Sequence, residues 1–552
     1  MRRTTLKQYI EEVKSFLKNK YYVIGFLLLA FIAFGFAMMN PTISIDDLED
    51  DRYVGPGRNM LASGRFGIWF WSVVQGRWEN AFFTDVLSLL LLFVALINFC
   101  ILFRRVSCGR IGTDALLVFS FMVLTYPLVI EIWEYTGANA HISGSYLMTS
   151  GALLLIWEQI HHGNWRRPWR LIPAVVMVTL VCSGYESVVA VYIFLVCAIL
   201  ALQVVYGSEK EKKLPEVIRQ AAVYAGMLAA GVVFRVLIHK LTLVVLNMPP
   251  VQNGATPFFW GKEPVKDILV HLVTRWGYLY VLKAIVYLPL LILLVCGVAY
   301  LIGWIVCCKK YGAVLLLPGA GMLVSLVIIS LVQGNASPYR TCQVFAFFCA
   351  FVAMMAVHML PRSSGKKVWI RTVAVVLFGC LFLHQASYIN YFLELNHRRS
   401  EQERFTVQQI GMDLDRMEDP EKPVIFVGDY DVAPAIVEAA SVPKDSMYWR
   451  LYKKACEKTC ELAGVDVRNL NLLSRKIPGT IVNSVLQWSM TAFGSQESML
   501  KLFRHYGFDY VPADYGAVFE EATAYAKQTD MPYYPANGYI EDVGEYVIVH
   551  LQ

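Results

Sequence analysis

Apolar runs of 18 or more residues recur from Tyr21 to about Ile389, and each is long enough to cross a hydrocarbon core of about 30 Å as a helix. The pattern predicts eleven spans, near 21–39, 84–103, 113–133, 144–159, 171–184, 187–206, 221–246, 280–307, 311–333, 341–360 and 369–389. The fifth and sixth come from one apolar stretch of about 36 residues, which as a single helix would run about 54 Å and overshoot one crossing. Ser183–Gly184–Tyr185–Glu186 interrupts that stretch, and Gly184 supplies a turn residue.

Charge gives this count a direction. With the N-terminus in the cytoplasm, Arg104/Arg105/Arg110, Arg166/Arg167/Arg170, Lys210/Lys212/Lys213, Lys309/Lys310 and Arg362/Lys366/Lys367 all fall on the inner side. That is the positive-inside pattern. The opposite loops hold Asp46–Asp51, Glu131/Glu134 and Glu186. Merging or splitting one span would reverse every later loop. The basic start, Arg2 to Lys20, runs directly into the first apolar run and reads as a retained signal anchor.

Composition agrees. Of 552 residues, 57% are hydrophobic and 17% charged, with a mean hydropathy of +0.48; soluble domains carry about 25% charged residues. The net charge of +6 averages unlike parts: residues 1–390 carry +14 and residues 391–552 carry −8. The positive charge sits in short loops, so it marks orientation, not a nucleic-acid partner. Two domains are expected: a transmembrane catalytic domain, 1–390, and an extracytoplasmic α/β or α+β domain, 391–552.

In the tail, a helix is predicted to continue from the last span over Tyr391–Met417. A strand follows at Pro423–Tyr430, then helices near Asp445–Cys460 and Gln496–Gly507, and a closing strand at Glu545–Leu551. Val427–Gly428–Asp429 ends a strand where ligand loops often sit, but no glycine-rich phosphate motif follows. Of twelve cysteines, ten lie in or beside membrane segments. Cys456 and Cys460 fall in the tail at a spacing that does not settle whether they pair.

Candidate chemistry collects on the predicted outer face. Five carboxylates occupy six positions from Asp46 to Asp51, followed by Arg52. Such acids repel one another and need cations, water or a shared proton, and beside a membrane one of them is placed to serve as a general base for an acceptor hydroxyl. A solvated loop with an acidic bias is the plain alternative. Mg²⁺ or Mn²⁺ is compatible with these groups, but carboxylates alone do not establish a metal; no cofactor is expected. Glu131, Glu134, Tyr135 and His141 follow the third span, and Tyr185 and Glu186 lie at the fifth–sixth turn. Membrane-edge acids are costly to keep.

Outer arginines run against the orientation bias. They are Arg52, Arg58, Arg65, Arg77, Arg275 and Arg340. Guanidinium matches phosphate oxygens bidentately, and Arg340 stands just before a membrane helix, at the depth of a carrier-lipid phosphate. Arg235 and Lys240 lie inside the seventh predicted span, either snorkelling or facing a polar cavity. The first outer loop also predicts an interfacial helix within Leu61–Trp78, and the fourth an amphipathic run, Val265–Trp276.

The arrangement of Asn40–Pro41 through Asp46–Asp47 and Arg52, the Tyr185–Glu186 turn and Arg340 resembles bacterial polytopic glucosyltransferases of the O-antigen-modifying type, in the GT-C class. That resemblance implies a GT-C-like fold and transfer outside the cytoplasmic (inner) membrane of a bacterium. It implies a sugar, glucose above all, on a polyprenyl-phosphate donor, with a glycan or cell-wall polymer as acceptor. It places Asp46 or Asp47 as the base, with Asp50 and Asp51 less defined, and no family motif matches in the tail. Arg340 is then the donor-phosphate ligand, helped by Arg52 or Arg275; Glu131, Glu134, Tyr185 and Glu186 are supporting residues. The rival class is a transporter or flippase for a lipid-linked glycan, kept open by Arg235 and Lys240. A further rival is a non-catalytic assembly or sensory protein that binds through its tail.

Overall fold

The structure is a computed structural model that describes residues 6–43, 58–75, 80–133, 139–163, 167–249, 258–276, 288–307, 311–334, 339–360, 368–417, 419, 421–428, 432–440, 447–464 and 496–551. The helices up to residue 414 are α1 (Leu6–Leu17), α2 (Lys20–Met39), α3 (Arg58–Ala62), α4 (Phe66–Val74), α5 (Ala81–Val106), α6 (Thr113–Thr125) and α7 (Ile130–Trp133). Then come α8 (Asn139–His162), α9 (Ile172–Cys182), α10 (Val188–Tyr206), α11 (Leu214–Val245), α12 (Val265–Trp276), α13 (Leu288–Cys307), α14 (Gly312–Ser325), α15 (Ile328–Gln333), α16 (Val344–Met359) and α17 (Val368–Leu414). A helix stands at every predicted apolar segment. Helices α2, α5, α10, α11 and α17 are long and apolar enough to cross a membrane, and α6, α9, α14 and α16 are shorter apolar helices. This is a polytopic, helical membrane protein.

Local chemistry sets several ends. Asn19 caps α2, its Oδ1 accepting from the Tyr21 amide at 3.1 Å, and Asn80 caps α5 by accepting from Phe83 N at 3.0 Å. Helix α6 stops before Pro127, whose ring disfavours helical backbone in the preceding residue. The long apolar stretch breaks between Cys182 and Val188 as the turn residues predict.

Aromatic packing fills the centre. Phe103 meets Phe119 edge-on at 5.0 Å, Phe99 meets Phe347 at 5.6 Å, and Phe194 meets Phe348 at 6.1 Å. Helices α5 and α8 share an extensive interface in which small polar residues hydrogen-bond across the seam. Ser88 meets Ser143 at 2.8 Å, and Asn98 donates to Ser150 at 3.2 Å. Such pairs satisfy polar groups where lipid offers no partner.

Residues of the predicted inner loops pair with one another. Arg105 donates to Glu12 at 3.1 Å and lies 3.6 Å from Glu158, while Arg371 pairs with Asp114. His161 Nε2 lies 3.1 Å from Glu211, and hydrogen bonding from His161, with help from Ser208, lowers the Glu211 carboxyl to about 2.

Helix α17 has 47 residues, about 70 Å at 1.5 Å per residue. It therefore outruns a membrane and carries the tail. There, strands β1 (Val424–Val427), β2 (Ile540–Asp542) and β3 (Val547–His550) form a sheet in the order β1-β3-β2. β1 pairs parallel to β3 with Val424 opposite Val547, and β2 antiparallel with Ile540 opposite Val549. Around it lie α18 (Pro434–Ala440), α19 (Met447–Ala463), α20 (Gln496–His505) and α21 (Tyr515–Gln528). Helices α18 and α21 and strand β2 were not foreseen from the sequence; the others fall where expected. Cys456 and Cys460 are buried thiols on α19, not a disulfide.

The sheet unit docks on the end of α17 through tyrosines. Tyr510 donates to Gly411 O and Asp415 at 2.8 Å, Tyr539 to Asp413 at 2.8 Å, and Tyr534 to Gln409 at 2.8 Å. Burial, and then the adjacent carboxylate, pushes the Tyr510 and Tyr539 phenols well up. The double variant Tyr510→Phe/Tyr539→Phe should weaken this docking by roughly 2–4 kcal/mol, since hydrogen bonds to charged groups are worth about 1.5–3 each. Amide exchange over residues 496–551 should rise; unchanged protection would contradict the docking.

Candidate active site at the outer helix ends

The predicted outer loops pack against one another. Helix α4 lies in a notch made by glycines. Gly67 N donates to Ser183 O at 3.1 Å, and a Cβ at position 67 would sit 2.5 Å from Leu180 O and 2.8 Å from Gly184 N. Trp71 covers Gly144 of α8 so closely that a Cβ there would meet the indole at 2.2 Å. The preceding turn is held by His239 of α11, whose Nε2 lies 2.9 Å from Ala62 O. The fourth outer loop joins the same face: Trp260 donates to Leu331 O at 2.7 Å, and Val270 of α12 packs on Cys460 of the tail.

Arg235 is accounted for by this packing. It donates to Glu186 at 2.9 Å, the pair being partly exposed at 27% and 47%. The arginine inside the seventh apolar segment thus reaches the fifth–sixth turn, and Glu186 is occupied by an ion pair. Lys240 is exposed among apolar neighbours Leu237 and Leu241, where its long stem can carry the ammonium to the interface. Tyr185 is half-buried at the same turn as Glu186, and Arg65 is half-buried at the start of α4.

Arg340 lies in the 3-10 turn Tyr339–Thr341, which packs beside Pro127–Val129 and α7. This brings the backbones of Arg340 and Glu131 into one neighbourhood. Arg340 O accepts from Gln343 Nε2 at 3.3 Å, and Gln343 Oε1 accepts from Tyr146 at 2.7 Å. Tyr146, Gln343 and Ser143 are the polar lining of an otherwise apolar cavity of about 30 Å³, roughly room for two waters. A hexose does not fit there without movement.

Asp46, Asp47, Asp50, Asp51, Arg52, Arg77 and Glu134 lie outside the described residues, as does Tyr135; of Glu131, Arg275 and Arg58 only the backbone is described. The root of the acidic loop is described. Thr42 Oγ1 accepts from Asn396 Nδ2 at 3.3 Å, and Asn396 Oδ1 accepts from Arg399 at 3.0 and 2.9 Å. Arg399 also donates to Glu403 at 2.6 Å, both almost fully buried. This network ties the segment before Asp46 to α17.

Sequence reading missed Arg399 and Glu403, and also Asp85. Asp85, the fifth residue of α5, is buried and accepts from Asn139 Nδ2 at 2.7 Å. It is a lone acid inside the apolar run 84–103, and that was the available signal. Among the described residues no group of three or more His, Cys, Asp or Glu forms a metal-binding cluster.

The glycine notch predicts a sharp sensitivity. Gly67→Ala must push α4 off the Leu180 and Gly184 backbone, an overpacking cost of about 1–3 kcal/mol. Amide exchange across residues 60–74 should increase; equal protection in the variant would show that α4 does not seat there.

The family model described as Glucosyl transferase GtrII matches residues 35–357, more than half of the chain. The match runs from the outer end of α2 through the acidic loop, the α9–α10 turn and Arg340 to the last turn of α16. No curated protein and no solved structure matches. The chain therefore belongs to the GtrII glucosyltransferase family.

Proposed function

We propose that this protein transfers a glucosyl group from a polyprenyl-phosphate carrier to a hydroxyl of a cell-envelope glycan or polymer, on the outer side of the bacterial cytoplasmic membrane. The observation that carries the reading is the family match over residues 35–357, which takes in both the acidic loop and Arg340. The packing of the Arg340 turn beside Pro127–Trp133 supports a shared outer site.

The transfer is a single inverting displacement. Asp46 or Asp47 takes the proton of the acceptor hydroxyl, whose oxygen attacks the anomeric carbon from the face opposite the leaving group. The bond from that carbon to the phosphate oxygen breaks, and its electron pair leaves on polyprenyl phosphate. Arg340, helped by Arg52 or Arg275, holds the growing negative charge. A guanidinium 4 Å from a phosphate charge gains about 1 kcal/mol in water and about 4 kcal/mol at an effective dielectric of 20. Seating the headgroup between helix ends therefore matters as much as the arginine itself. Asp50, Asp51, Glu131, Glu134 and Tyr185 serve as supporting polar groups, while Glu186 steadies the α9–α10 turn through Arg235. The N-terminus lies in the cytoplasm, and the tail outside contributes to the acceptor side. No metal takes part in this scheme.

Asp46→Asn and Asp47→Asn, made separately and assayed with polyprenyl-phospho-glucose, identify the base. One of them should lose about 100- to 10,000-fold in rate, and full activity in both would sink the assignment. Activity should survive exhaustive chelation by EDTA; loss restored by Mg²⁺ or Mn²⁺ would replace this scheme with a metal-assisted one.

A further inference from the structure

Besides the Arg105–Glu158 ion pair, three side-chain hydrogen bonds cross the seam between α5 and α8 among the described residues, and they are not alike. Ser88–Ser143 and Asn98–Ser150 are hydroxyl or amide pairs in which donor and acceptor meet, as expected for glue between membrane helices. The outermost pair is Asp85–Asn139. Asn139 is 1% exposed and Asp85 6%. Asp85 accepts from Asn139 Nδ2, and Asn139 Oδ1 has no hydrogen-bond partner among the described residues.

With Asp85 ionised, its carboxylate only accepts, so the amino group of Asn139 faces Asp85 and the carbonyl faces away. A buried carbonyl without a partner costs roughly 1–3 kcal/mol. The position is also apt. Tyr146 stands seven residues along α8, about 10 Å at 1.5 Å per residue, and Tyr146 links through Gln343 to the Arg340 carbonyl. Ser143, one turn beyond Asn139 on α8, lines the small cavity together with Tyr146 and Gln343.

We propose that Asn139 is a recognition point for a hydroxyl of the transferred sugar, with Asp85 as the positioning residue that aims its carbonyl. This rests on the donor reading given above, in which Arg340 holds the phosphate. A sugar hydroxyl supplies the donor that Asn139 Oδ1 lacks. A site built to pair a hydroxyl rejects the deoxy analogue strongly.

The test uses the full chain in proteoliposomes with polyprenyl-phospho-glucose and its 2-, 3-, 4- and 6-deoxy counterparts. In wild type, one deoxy donor should lose about 100-fold or more in kcat/KM. Asn139→Ala should raise the donor KM and lose most of that discrimination, because the same hydrogen bond is already gone. Asp85→Asn should weaken it, and Asn139→Ser gives a milder variant if the alanine protein does not fold. A purely structural pair would lower activity equally for all donors, leaving discrimination intact, and that result overturns the proposal. So does a wild type that accepts every deoxy donor equally, which needs no variant. Wild type that transfers from none of these lipid-linked donors overturns the donor reading itself, and this inference with it.

Discussion

A charge or an unpaired polar group inside hydrocarbon is expensive, and the architecture follows from avoiding that cost. The apolar helices keep ionised side chains at their ends or paired with a neighbour. Arg235 is the informative case. It lies within an apolar segment yet reaches Glu186 at the adjoining turn, and the turn in turn seats α4 through Gly67. Between the ends, neutral pairs such as Ser88–Ser143 join helices without bringing charge into the layer. Polar groups able to do chemistry are thereby kept at the helix ends or in pairs.

The face of the predicted outer loops is assembled from distant parts of the chain. The close approach of α4 to the Ser183–Gly184 backbone brings the first outer loop onto the α9–α10 turn. The Asn396–Thr42 contact brings the helix that bears the tail onto the root of the acidic loop. Helix α12 meets α19 at Val270 and Cys460. The Thr42–Asn396 hydrogen bond thus joins the residues just before the acidic segment to the helix that bears the tail.

Much of this was legible in the sequence because its causes are local. Length and hydropathy located the apolar helices, Ser183–Glu186 divided α9 from α10, and amphipathic spacing placed α12 to the residue. Pairings between distant positions were not legible. Asp85 and Asn139 are 54 residues apart, and nothing in either neighbourhood announces the other. Arg399 reads as one more charge on a solvated helix until Glu403 and Asn396 close around it. Helix α21 escaped notice because its buried face rests largely on Ala522 and Ala526, which contrast weakly with their polar neighbours.

In the proposed reaction, glucosyl transfer takes place at this face with the carrier phosphate at Arg340. A structure of the protein bound to polyprenyl phosphate tests it most directly. The account predicts phosphate density in contact with the Arg340 guanidinium and within reach of the Asp46–Asp47 segment, with the polyprenyl chain lying in lipid. Phosphate bound instead at the face of Arg105, Glu158 and His161, or away from both Arg340 and the acidic loop, would contradict it.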